Sequence, residues 1–296
     1  MTRVLRSILR YGRDAAAPAS RRVLAWINGL MVPFLRDTPT PAPVFIIGAP
    51  RSGSTILYQA LTNALDLLYI DNLTARFHFN LFLGMWLSKR RYRNIPHGNF
   101  EANYGDTRAH GGHAPSECGT FWYQWLPRDR HFVATGETSQ RDVAQIRFAV
   151  TFPSQWFGRP ILFKNLNAGQ RLQLICEAFP EARIIFIQRD LDATARSILQ
   201  ARRKFNVPAG TVWSVRPRIC ADLGELPEEE MCREQVRRLE AQIDEDLKLF
   251  PASQIFRVSH SDLSPALIDR LRQWIGVGYR DGYSLPVFQK APSAKG

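Results

Sequence analysis

Residues 44–59, VFIIGAPRSGSTILYQ, run from a short all-apolar stretch through a loop with glycines at 48 and 53 into a segment of helical spacing. An unbroken apolar run of this length suits a strand buried on both faces, as happens when parallel strands alternate with covering helices. The rhythm returns three times. ILFKN at Ile161 precedes a helical pattern at about 169–179, ARIIFIQ at Ala182 precedes LDATARSILQARR, and QIFRVS at Gln254 precedes SPALIDRLRQWIG. Such units predict an α/β fold of three layers, a mainly parallel sheet with helices on both faces.

In an open parallel sheet, ligands sit beyond the carboxyl ends of the strands, where the loop Gly48–Thr55 leaves the first one. Its glycines let backbone N–H groups turn inward, and the following helix presents its positive end, so an anion is the natural guest. The spacing is close to the triphosphate loop G-x-x-x-x-G-K-[ST], but Ser54 stands in the lysine position, followed by Thr55, and the cation Arg51 lies inside the loop. The third strand ends IIFIQRD, which puts Arg189 where a magnesium carboxylate would otherwise serve. Two arginines and no obvious metal ligand predict a guest carrying less charge than a triphosphate.

The charge balance agrees. Lys and Arg number 39 against 27 Asp and Glu, a net +12, and 33 of the cations are arginine, whose planar fork matches phosphate and sulfate. That charge also fits nucleic acid or an anionic membrane and chooses none of them. A chain 45% hydrophobic and 22% charged is neither disordered nor fibrous. Cys118, Cys176, Cys220 and Cys232 are 58, 44 and 12 residues apart with no His at ligand spacing, which predicts reduced thiols, no metal and a cytoplasmic setting.

Two segments together resemble the sulfotransferases that use 3'-phosphoadenosine 5'-phosphosulfate. GAPRSGST is similar to their 5'-phosphosulfate loop, and RDLDATARS to their 3'-phosphate element, an arginine ending a strand with a serine eight residues later. FKN at Phe163 matches a strand-end lysine about 25 residues before that arginine. The likeness covers roughly 44–60 and 161–203, and FPEARIIFIQRDLDATARSIL resembles bacterial members. It implies a P-loop-like fold, with Arg51, Ser52, Gly53, Ser54 and Thr55 on the phosphosulfate, Arg189 and Ser197 on the 3'-phosphate, and Lys164 on the bridging oxygen.

Sulfuryl transfer also needs a base. The histidine that some members place two residues after the lysine is Leu166 here. Others use a glutamate, and Glu117, in the weaker likeness HGGHAPSECGTFWYQW, is the candidate, with small and aromatic neighbours that would exclude water; His113 is the alternative. The aromatics of FWYQWLPRDRHF read first as core, and second as a wall for a sugar or lipid acceptor.

The expected organisation is a basic segment and Pro-rich linker at 1–43 and one domain at 44–290, with an acceptor-side insertion at about 67–160 that has no strand–helix rhythm. Residues 226–250 read as a charged, exposed helix. The apolar run at 23–35 is broken by Asn28, Gly29 and Pro33 and is too short to span a bilayer, although the arginine-rich residues 1–36 suit contact with an anionic inner leaflet. The expected activity is transfer of a sulfuryl group to a hydroxyl or amine of a saccharide, glycolipid or small metabolite. The rivals are a P-loop kinase or nucleotide hydrolase, and a non-catalytic module binding membrane or nucleic acid. Arginines dispersed among acids, as in CREQVRRLE, speak against nucleic acid.

Overall fold

A computed structural model describes residues 39–288. Strand β1 (Val44–Ile47) is buried at every position. The loop after it ends at Gly53, whose left-handed backbone opens α1 (Ser54–Ala64). The chain then forms β2 (Leu68–Tyr69), α2 (Leu81–Tyr92) and α3 (Gln140–Phe157) before returning through β3 (Ile161–Lys164). A turn of 3-10 helix at Leu166–Gln170 and α4 (Leu172–Ala178) lead to β4 (Arg183–Gln188). Helices α5 (Leu191–Lys204) and α6 (Glu228–Asp246), strand β5 (Ile255–Ser259) and α7 (Pro265–Ile275) complete the order.

The five strands pair in the order β2-β3-β1-β4-β5, and every pairing is parallel. This is the expected α/β architecture. Because strand side chains alternate, β1 feeds two cores. Phe45 and Ile47 pack with Phe163, Ile184 and Phe186 against Ile146 of α3, Leu172 of α4 and Ile243 of α6. Val44 and Ile46 pack with Leu162, Ile185 and Ile187 against Leu57 and Leu61 of α1 and Leu267 and Leu271 of α7. Each fully buried side chain of this kind contributes about 1.5–3 kcal/mol, so β1 is fixed from both sides before any ligand binds.

Two readings of the sequence need correction. The interval 67–160 holds an edge strand and two long helices. Strand β2 is only two residues long, too short to show an alternation, and α3 runs on through Pro153, a residue that normally ends a helix. Helix α6 is charged on one side only: Met231, Cys232, Val236, Leu239 and Ile243 bury the opposite stripe. Among the described residues no helix is long and apolar enough to cross a membrane. The arginine-rich segment 1–36, expected at a membrane surface, lies outside the described residues.

Candidate active site

The carboxyl ends of four neighbouring strands open on one cleft of about 550 Å³. Strand β1 brings the loop residues Arg51, Gly53, Ser54 and Thr55, β3 ends in Lys164, β4 is followed by Arg189, and His260 follows β5. The loop needs its glycines for space. A Cβ on Gly48 would lie 2.3 Å from the Ile187 carbonyl oxygen, and one on Gly53, where φ is +94°, would lie 2.5 Å from Cδ2 of His260. Gly53 also brings no side chain to cap α1, so the first-turn N–H groups have no side-chain acceptor of their own.

Arg51 has a left-handed backbone, φ +68°, a conformation that costs a residue with a side chain about 1–3 kcal/mol. Its surroundings over-determine it. Nε donates to Ser197 Oγ at 3.1 Å, the guanidinium lies 4.7 Å from the Tyr104 ring centre, and its carbonyl accepts from Arg189 Nη1 at 3.4 Å. Burial first, and Arg189 to a lesser degree, lower the Arg51 pKa, while Tyr104 opposes them. Arg189 does not pair with Asp192, whose carboxylate holds Arg233 at 2.8 Å. Arg51, Arg189 and Ser197 therefore meet as a cationic pair and a hydroxyl, with no carboxylate in ion-pairing range among the described residues.

Lys164 is 3% exposed and forms an ion pair with Glu117, and its Nζ also donates to Thr55 Oγ1 at 3.2 Å. Glu117 arrives on a strap tied to the end of β2. Ser116 N–H donates to the Ile70 carbonyl at 2.7 Å, and Cys118 turns the chain at φ +41°. Gly105 fits closely over the pair, since a Cβ there would lie 2.4 Å from Glu117 Oε1. The carboxylate thus faces an ammonium, not the purely apolar surroundings its sequence neighbours suggest.

Two residues expected at the site sit elsewhere. His113 stacks on Tyr92 at 4.3 Å between ring centres and lines a separate small cavity with Tyr69, Asp71 and Arg280. Burial and the Arg280 charge push its pKa down to about 4. It is not beside Lys164. Ser52 is fully buried behind the loop, and its Oγ has no hydrogen-bond partner among the described residues. Its side chain is not among those lining the cleft.

Sequence reading missed Tyr104, His131, Trp213 and His260, all of which line the cleft. The segment FWYQWLPRDRHF is divided: Phe121, Trp122 and Leu126 are core, while Tyr123 and His131 face the cleft. His131 Nδ1 accepts from Arg216 N–H at 2.8 Å, which leaves the proton of the neutral ring on Nε2. Burial, Arg171 and Arg216 lower its pKa to about 4. Near neutral pH it is a donor, not a base.

The sequence model of the sulfotransferase family matches residues 43–273. The chain is a member of the sulfotransferase family. Its fold is similar to that of sulfotransferase STF1 from Mycobacterium tuberculosis H37Rv, with a TM-score of 0.51 at 13% identity over 94% of this chain and 78% of that one. Sulfotransferase STF9 from Mycobacterium avium superposes with a TM-score of 0.49 at 13% identity, covering 88% of this chain and 73% of that one. No curated protein sequence matches it. In this sulfotransferase the groups suited to an anion are the loop, the open N-terminus of α1, and Arg51 and Arg189, which have no carboxylate in ion-pairing range among the described residues.

Proposed function

We propose that the protein moves the sulfuryl group of 3'-phosphoadenosine 5'-phosphosulfate to a hydroxyl or amine of a saccharide, glycolipid or other small acceptor, releasing adenosine 3',5'-bisphosphate. The observation that carries this reading is that one cleft is lined by Arg51 and Arg189, with Ser197 hydrogen-bonded to Arg51, and by Lys164 joined to both Thr55 and Glu117. The first group suits a phosphate, and the second suits transfer of a charged group. When bound, the donor supplies an activated sulfuryl group with phosphate as the leaving group.

Glu117 takes the proton of the acceptor hydroxyl as the new O–S bond forms. Lys164 and the α1 N-terminus neutralise the charge that collects on the bridging oxygen as the S–O bond to phosphate breaks. The ion pair links these two tasks. A proton arriving on Glu117 removes the negative charge that holds Lys164, and frees the ammonium as charge grows on the leaving oxygen. Thr55 Oγ1 holds Nζ on the loop side throughout.

Family membership weighs against the kinase and the non-catalytic readings. We place the enzyme in the cytoplasm, supported by four free cysteines, with residues 1–36 as its route to an anionic membrane surface. The test is incubation of the full chain with sulfur-labelled donor and a small-molecule cell extract. Labelled product should form with the natural protein and not with Lys164→Ala; label transferred equally by both, or by neither, contradicts the proposal.

A further inference from the structure

The cleft is bounded on one side by His131. His131 lines both it and a second cavity of about 400 Å³, so one imidazole forms part of the wall of each. Arg216 and Arg218 line the second cavity. Arg216 is fixed by its backbone N–H to His131 Nδ1 and by Nη2, which donates to the Asp129 carbonyl oxygen. Arg218 lies over the Phe132 ring, 4.6 Å from its centre. Among the described residues neither guanidinium has a carboxylate within 4.0 Å, whereas Arg130 on the same wall is paired with Glu137. The opposing charges are the exposed carboxylate of Asp129 in the wall and that of Asp246, on which the Arg218 charge acts.

A third cation stands behind this wall. Arg171 is 2% exposed, its Nε donates to the His131 carbonyl at 3.4 Å, and its guanidinium lies 5.3 Å from the Tyr123 ring centre. Its Nη2 is buried with no hydrogen-bond partner, and no carboxylate among the described residues is near enough to pair with it. A guanidinium keeps its charge when buried, and a buried charge without an acid is expensive to desolvate. Arg128 approaches Tyr123 as well, at 5.5 Å. Four arginines thus stand around Tyr123, His131 and the second cavity, Arg171 buried and Arg128 and Arg218 exposed, and among the described residues none of them has a carboxylate within 4.0 Å. Low-dielectric walls concentrate such a field on whatever enters.

We propose that the second cavity is an oxyanion subsite for the acceptor. An acceptor held there presents its hydroxyl or amine to Glu117 and Lys164 while a phosphate, sulfate or carboxylate of the same molecule sits between Arg216 and Arg218, within the field of Arg171. The enzyme is then selective for anionic acceptors, and neutral alcohols are poor ones. This rests on the sulfotransferase reading of the main cleft. The planar fork of arginine suits all three oxyanions, and the separation of the subsite from the loop keeps it from competing for the donor.

The probe is inorganic sulfate, titrated at constant ionic strength into the full-length protein saturated with adenosine 3',5'-bisphosphate, with the melting temperature as readout. Wild type should show a saturable rise. Arg216→Ala/Arg218→Ala should need about tenfold more sulfate or show no rise, while its shift with the bisphosphate alone matches wild type and reports an intact fold. An equal sulfate response in the double variant, or no saturable response in wild type, overturns the subsite. Lack of any shift with the bisphosphate would instead count against the donor reading, and the titration without nucleotide would still compare the two proteins at this cavity.

Discussion

At the scale of single residues the proposed chemistry depends on Lys164 and Glu117. Lys164→Ala removes the cation that faces the leaving oxygen and leaves Glu117 without its ammonium; turnover should fall by about 10²–10³-fold, as for loss of other transition-state donors, measured as kcat with saturating donor. Glu117→Gln keeps the shape and removes the base, and should lower kcat by about 10²–10⁴-fold while calorimetry finds adenosine 3',5'-bisphosphate binding nearly unchanged. Loss of nucleotide binding in that variant would instead make Glu117 a structural partner of Lys164. Residues such as Arg51, Lys164, Arg189 and Ser197 were legible in the sequence because each lies at a fixed offset from a strand end, and the sheet brings strand ends together. His131 and Trp213 were not legible, because their segments reach the cleft through loops that no periodicity encodes. The burial of the Ser52 side chain was not legible either, because a loop motif fixes the path of the backbone and not the direction of each side chain.

At the scale of elements, the loop between β1 and α1 works only while it can lie against β4. A Cβ at Gly48 meets the Ile187 carbonyl oxygen, a backbone atom that cannot rotate away. Gly48→Ala should therefore cost about 1–3 kcal/mol in denaturant unfolding and weaken nucleotide binding as well, because the loop that would hold the phosphosulfate is displaced. Stability equal to wild type would mean that β4 yields more easily than its burial implies. Four of the five strands were readable from sequence as apolar runs. The two residues of β2 carry no pattern, and their place at the sheet edge is set by pairing with β3 and by the Ile70–Ser116 hydrogen bond that delivers Glu117. The buried stripe of α6 was hidden beneath its many charges, although Met231, Val236, Leu239 and Ile243 fall at helical spacing once the faces are separated.

At the scale of the whole molecule, stability should depend on acid through histidines buried without their proton. His113 and His131 both have pKa values lowered to about 4 from the ordinary 6.5, with burial as the largest cause. Between those values the unfolded chain binds protons that the folded one refuses, so stability is full above about pH 6.5 and declines as the pH falls toward 4. The melting temperature should drop over that window. His113→Phe, which keeps the stack on Tyr92 but cannot titrate, should make the drop shallower; an unchanged slope would place the acid sensitivity at other groups. The net charge of +12 was visible at once, but composition alone could not separate the paired arginines of α6 from the unpaired ones in the cleft, because pairing is a property of the fold. The proposed function requires those cations to form a site for a phosphosulfate donor. Its most direct test is the melting temperature of the full chain with adenosine 3',5'-bisphosphate and, separately, with ATP and magnesium. A clear rise with the bisphosphate that is reduced in Arg189→Ala, and little or none with ATP and magnesium, is the predicted result; equal shifts with both ligands, or a shift with ATP alone, would contradict it.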